Sequence, residues 1–186
     1  MELERPETTT GVALIFVDAH GENQIVVVPG ANAALTPRAV GGPVLSQLEV
    51  PDEVVLAAAR SASYFAPNAA PARPIDLVPD LLAVNRLEYE IVSRGRLVAV
   101  TYGAEGAALL EDGREIARAR PPHVDAVDGA AAGDAFTAAL VVSLLDGRAP
   151  ADALRRACAA GAIAASRFGA QSSLPTADEV DAILAG

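Results

Sequence analysis

Ala131-Ala132-Gly133-Asp134-Ala135-Phe136 opens an apolar, helix-forming run and follows Asp128 by a short loop of small residues. Side chains this small let backbone amides crowd together at a helix N-terminus, where unpaired N–H groups and the helix dipole attract an anion. A carboxylate among those amides, Asp134, can take a proton from a hydroxyl while the amides hold a phosphoryl group. Phosphoryl transfer to an alcohol needs that combination, because it runs on positioning and charge stabilisation. The same six residues also describe a first-turn acid on a buried, alanine-rich helix. Taken alone they leave both readings standing.

Other positions carry weaker signals of the same kind. Thr101-Tyr102-Gly103-Ala104-Glu105-Gly106 follows a β-branched run. A glycine turn there lets the backbone approach a phosphate, or simply reverses the chain. Asn85 with Glu88 three residues later has the spacing of a helix cap. Glu49 ends an apolar run just before Pro51, so it is either a ligand-facing acid at a strand end or a helix-initiating acid. His20 and His123 lie far apart in sequence, suggest no zinc site and read as loop residues. The single cysteine, Cys158, excludes an intramolecular disulfide, fits a reducing compartment and reads as a small buried residue.

The elements that must hold these groups follow from periodicity and turn chemistry. Runs 11–18 and 24–29 read as a β-hairpin, 44–49 as a buried strand, and Pro51-Asp52-Glu53 as the start of a helix to about Arg60. Residues 64–68 and 96–102 read as strands, and 107–110 with 115–119 as a second hairpin turned at Asp112-Gly113. Helices are expected over 133–145 and 151–167, and Thr176 with Glu179 has capping-box spacing before a last helix. Strands alternating with helices predict an α/β fold with a mostly parallel sheet, here one domain over 1–186. Against the family that the segments quoted below resemble, Leu81 to Asn85 leaves no room for the strand usual before Asn85, and 90–96 only a few residues where a helical excursion is usual, which would leave the sheet with exposed apolar surface and edges.

Composition narrows the function classes. The 186 residues carry 14 basic residues, all Arg, against 24 acidic ones, a net charge of −10. No basic tract offsets that balance, which argues against a nucleic-acid or anionic-membrane surface. A nucleotide remains compatible, since backbone dipoles can hold a phosphate locally. No apolar run spans a bilayer and the start, MELERPETTT, is polar, so a soluble cytoplasmic protein is expected.

Segments TGVALIFVDAHGEN (10–23), PGANAALTP (29–37), QLEVP (47–51), NAAPAR (68–73), NRLEYE (85–90), VTYGAEGA (100–107), DGAAAGDAF (128–136) and GAQSSLP (169–175) keep one order and character. In these the chain resembles the C-terminal portion of the ribokinase/fructokinase family of sugar kinases. The resemblance does not reach the family's N-terminal portion, with its glycine pair and sugar ligands; Gly41-Gly42 lies after the hairpin and is not that pair. It implies a three-layer α/β fold, incomplete, with the first hairpin as a remnant lid through which a homodimer could form.

The implied reaction is ATP-dependent phosphorylation of a sugar hydroxyl, with D-ribose to ribose 5-phosphate favoured by the GAN, NAAPAR and GAQSSLP segments. A non-catalytic nucleotide-binding remnant and another sugar or nucleoside kinase are the alternatives. Carried over position by position, Asp134 is the general base, and the amides of Ala131, Ala132 and Gly133 form the anion hole. Asn85, Thr101, Tyr102, Gly103, Ala104, Glu105, Gly106, Gly133 and Cys158 belong to the ATP site, and Glu49 with Asp134 contacts the sugar. Glu88 helps arrange Mg2+ indirectly, and Asp128, Ala130, Ala164, Arg167, Gly169 and Ser173 form a loop for a monovalent cation, K+. The family carries hydroxyl-bearing or branched residues where this chain has Gly129 and Ala130.

Overall fold

The computed structural model describes residues 7–17 and 23–186. The first hairpin pairs β1 (Val12–Val17) with β2 (Asn23–Val28) antiparallel, Val12 opposite Val28 and Leu14 opposite Val26. His20 lies outside the described residues.

The main sheet is built from β3 (Pro43–Ser46), β4 (Tyr64–Pro67), β5 (Leu81–Asn85), β6 (Leu97–Thr101), β7 (Ala107–Glu111) and β8 (Arg114–Ala119). β3 runs parallel to β4, and β5 parallel to β6, while β7 and β8 add an antiparallel hairpin at one edge. A parallel bridge between Asn68 and Ala83, with Asp80 N donating to the Phe65 carbonyl at 3.0 Å, joins β4 to β5. The β7–β8 turn places Asp112 at φ 49° and Gly113 at φ 74°, the left-handed pair that a two-residue hairpin requires.

Alternation along the strands divides the core in two. Leu82, Val84, Val98 and Val100 face α1 (Asp52–Ser61), packing with Val55 and Ala58. Leu81, Ala99, Ala107 and Leu109 face the other way, onto Phe136 and Leu140 of α3 (Ala132–Leu145) and Leu154 and Ala157 of α4 (Pro150–Ala165). Three layers result, with α5 (Ala177–Ala185) packing on α4 through Val180. With few aromatics available, α3 and α4 reach core density by close approach. A Cβ added at Gly161 would stand 3.1 Å from the Ala132 carbonyl oxygen.

Two expectations need correction. A strand does precede Asn85: Leu81–Asn85 is itself β5, short because it is central and buried on both faces, where five residues suffice. The connection that follows is as brief as expected, α2 (Arg86–Tyr89) being one turn. Residues 44–49 do not form a buried strand. β3 ends at Ser46 and is half-exposed, because it bonds a neighbour on one side only. Beyond it the chain leaves the ladder, with Leu48 N donating to the Ala70 carbonyl at 3.1 Å. Leu48 is the buried residue of this stretch, and Glu49 lies three residues past the strand, exposed.

Candidate active site

β3, β4, β5 and β6 all end on one side of the sheet, the side where α/β folds place ligands. Gln47, Asn68, Asn85 and Thr101 stand at those ends or one residue past them. The N-terminus of α3 meets them, since Asp134 Oδ1 accepts a hydrogen bond from Gln47 Nε2 at 3.1 Å. No side chain caps α3. The Ala132 amide donates to the Gly129 carbonyl at 3.2 Å and is therefore engaged, a correction to the expected anion hole. Among the described residues the amides of Ala131, Gly133 and Asp134 have no such partner, so two of the three expected donors stay open and that of Asp134 joins them. Ala131 is itself buried, while Gly133 and Asp134 are exposed.

Beside this turn lies a cavity of about 540 Å3, of the size that takes a small ligand. Its walls are Thr101 at the end of β6, Gly103, Ala104 and Gly106 from the loop after it, Pro121 to Val124, and Ala132, Gly133, Cys158, Gly161, Ala162 and Ala165 from the α3–α4 pair. The glycine loop is fixed by its own backbone, with Tyr102 N to the Gly106 carbonyl at 2.8 Å and Gly106 N to the Gly103 carbonyl at 3.0 Å. Gly106 sits at φ 100°, where a Cβ would collide with the Ala119 carbonyl oxygen, so no other residue fits. Tyr102 and Glu105 do not line the cavity; the Tyr102 ring packs under the Arg118 guanidinium, 5.4 Å from the ring centre. The Cys158 thiol does line it, pushed up to about 11 by burial, which suits packing rather than reactivity. Pro121, Pro122 and His123 were not singled out as site residues from the sequence. Their signal was the proline pair between β8 and Asp128, which holds the chain extended along the cavity.

Asn85 and Glu88 form a reciprocal cap on α2. Asn85 Oδ1 accepts from Leu87 N (2.8 Å) and Glu88 N (2.9 Å), and Glu88 Oε2 accepts from Asn85 N at 2.6 Å. Each keeps a second polar atom outside the cap, Asn85 Nδ2 and Glu88 Oε1. Neither residue lines the cavity.

Asp128 clamps the two loops that flank α3 and α4. Its Oδ1 accepts from Ala130 N at 2.9 Å and its Oδ2 from Gly169 N at 3.0 Å. Those hydrogen bonds, the one from Gly169 first, hold its carboxyl below the usual carboxylate range. The Ala164 carbonyl accepts from Arg167 N, and buried Ser173 donates its hydroxyl to the Ala170 carbonyl at 2.9 Å. Arg167 Nη2 reaches Glu179 Oε1 at 2.5 Å, while Glu179 Oε2 accepts from Thr176 N. The Arg167 bond, followed by the Thr176 amide, pulls Glu179 down to about 2.

The layered sheet, the glycine loop beside a cavity and the carboxylate at an open helix N-terminus define an α/β phosphotransferase class. Comparison with known proteins specifies it. Residues 82–177 match the model of the pfkB family carbohydrate kinases. Ribokinase of Bacillus subtilis is 33% identical over 95% of this chain and 69% of that protein. The crystal structure of Thermotoga maritima ribokinase superposes with a TM-score of 0.85 at 31% identity, over 98% of this chain and 72% of that one. Arabidopsis thaliana ribokinase, solved with ribose and ATP, gives 0.77 at 26% identity, over 96% and 70%. The chain belongs to the pfkB family of carbohydrate kinases, and it spans about two thirds of the length of these relatives.

Proposed function

We propose that this chain transfers the γ-phosphoryl group of ATP to a sugar hydroxyl, with D-ribose as acceptor and ribose 5-phosphate as product. The observation that carries the reading is Asp134, held by Gln47 and next in sequence to Gly133, which lines a cavity walled by a glycine loop and a helix pair. The 31% and 33% identical relatives are both ribokinases, which favours ribose over other acceptors.

In this reading Asp134 accepts the proton of the attacking hydroxyl as the oxygen bonds to the γ-phosphorus and the bond to the ADP oxygen breaks. The Gly133 and Asp134 amides face the charge that develops on the phosphoryl oxygens. The Gly103–Gly106 loop and the α3–α4 wall hold the nucleotide, and Glu49 orients the sugar. Glu88 supplies the carboxylate oxygen that suits Mg2+ through water, since its Oε1 remains outside the cap, while the Asn85 Nδ2 is left to donate to a phosphate oxygen of the nucleotide. Bound there, the ion would neutralise phosphate charge. Asp128 and the carbonyls of Ala130, Ala164, Arg167 and Gly169, with Ser173, are an all-oxygen set of the kind K+ takes. Ser173 is buried and Ala164 already accepts one bond, so the backbone clamp around Asp128 sets that loop's shape.

Residues 1–186 act as one ribokinase-like unit in this proposal, and two copies meet through the first hairpin. Val12, Leu14, Val26 and Val28 share one face there and, with Phe16, stand about half exposed. Release of ADP, followed by a coupled assay with and without ribose, tests the function. Ribose-dependent release is the expected result, and a rate indifferent to every sugar would refute it.

A further inference from the structure

The contact between Gln47 and Asp134 joins residues 87 positions apart, and it is made by two exposed side chains. An exposed hydrogen bond contributes little to folding stability, because water replaces either partner readily. The segment that presents Gln47 is nonetheless fastened at almost every residue. The Ser46 carbonyl accepts from Asn68 N at 2.8 Å, and the Ser46 hydroxyl donates to the Gln47 carbonyl at 2.7 Å. Leu48 N is bonded to the Ala70 carbonyl. Arg73 then binds the carbonyls of both Leu48 and Val50 and ion-pairs with Asp52 at 2.6 Å. A loop tied this thoroughly delivers the Gln47 amide to a fixed point in space.

We propose that Gln47 is a positioning residue for the phosphoryl-transfer reaction: its amide holds Oδ1 of Asp134, so that Oδ2 faces the sugar hydroxyl. The proposal rests on the reading of Asp134 as the general base. A carboxylate accepts only, so the contact fixes which end of the Gln47 amide points at Asp134. An amide is also the donor that disturbs a base least. A guanidinium or ammonium there would favour the charged carboxylate strongly and weaken its pull on a proton. Free rotation of the Asp134 carboxyl, by contrast, would spread the acceptor lone pairs over orientations that miss the hydroxyl.

Q47A should lower kcat about tenfold, within what misplacement of a catalytic group costs. The KM for ATP and the thermal midpoint should stay at their parent values, a split that a merely structural residue would not give. Q47E should lose more at neutral pH, through repulsion between two carboxylates, and should recover part of the rate as pH falls and the new side chain regains a proton to donate. Parent-like kcat in Q47A, with D134N inactive, would overturn the role of Gln47 and leave the base in place. Parent-like kcat in D134N would remove the base itself. The contact can also be read without turnover: the Gln47 side-chain amide cross-peak, identified by its loss in Q47A, should move in D134A. An unmoved cross-peak would overturn the proposal.

Discussion

The nucleotide side and the acceptor side of the candidate site are built from different materials. On the nucleotide side the groups are backbone and small buried side chains: the Gly103–Gly106 turn closed by its own amides, and a helix pair in contact at Gly161. On the acceptor side they are exposed side chains: Gln47 and Asp134, hydrogen-bonded to each other, and Glu49 on the same fastened loop as Gln47. The first hairpin carries exposed apolar residues on its paired face. Backbone sites are shaped by the fold and persist as long as it does. Side-chain sites can lose their chemistry while the fold stands untouched. Perturbations of the two sides should therefore separate cleanly.

The sharpest separation is D134N. It should cut sugar phosphorylation by about 10²–10⁴-fold, the usual worth of a general base, while calorimetric titration with magnesium nucleotide gives the parent affinity. Next comes G106V, which breaks the comparison from the other side. It forces a branched side chain into a left-handed position against the Ala119 carbonyl, at a cost of about 1–3 kcal/mol. Nucleotide binding and the thermal midpoint should fall together. E49Q should raise the KM for sugar by about tenfold, the value of one hydrogen bond to a charged group, and leave the nucleotide constant unchanged. The smallest effect lies outside both sides. Glu179 is held at about 2, below its ordinary 4.5, by Arg167 and Thr176. Its contribution is complete above pH 4.5 and fades as pH falls toward 2. Melting curves over that range should show an acid loss in the parent chain that E179Q lacks.

Local chemistry made much of the fold legible. Asp112-Gly113 announces its hairpin, and Thr176 with Glu179 announces its cap, because in each case the interacting groups are neighbours in sequence. β5 was hidden by the opposite cause: Leu81-Leu82-Ala83-Val84 is buried on both faces and shows no alternation to betray a strand. In the candidate site, the small-residue run before Asp134 pointed to the helix start, but not to which of its amides are engaged within the chain, since that depends on the bend at Gly129. Gln47 could not be seen from sequence, because nothing near it says that its partner lies 87 residues on. Asn85 and Glu88 show a spacing that the structure uses as a cap, which engages the single side-chain oxygen of Asn85 and one of the two carboxylate oxygens of Glu88.

The cavity wall contributed by α3, α4 and their flanking loops is made of Gly129, Ala132, Gly133, Gly161, Ala162 and Ala165, with Phe136 and Cys158. Alanine and glycine have no rotamers to exchange, so six of these eight residues cannot reshape themselves around a ligand. A base or ring entering there meets a surface with one contour. Any tolerance for a different nucleotide would then come from the opposite rim, where Thr101, His123 and Val124 can change rotamer. In the proposed reading, a nucleotide in this cavity meets a fixed mould on one side and the adjustable side chains of Thr101, His123 and Val124 on the other.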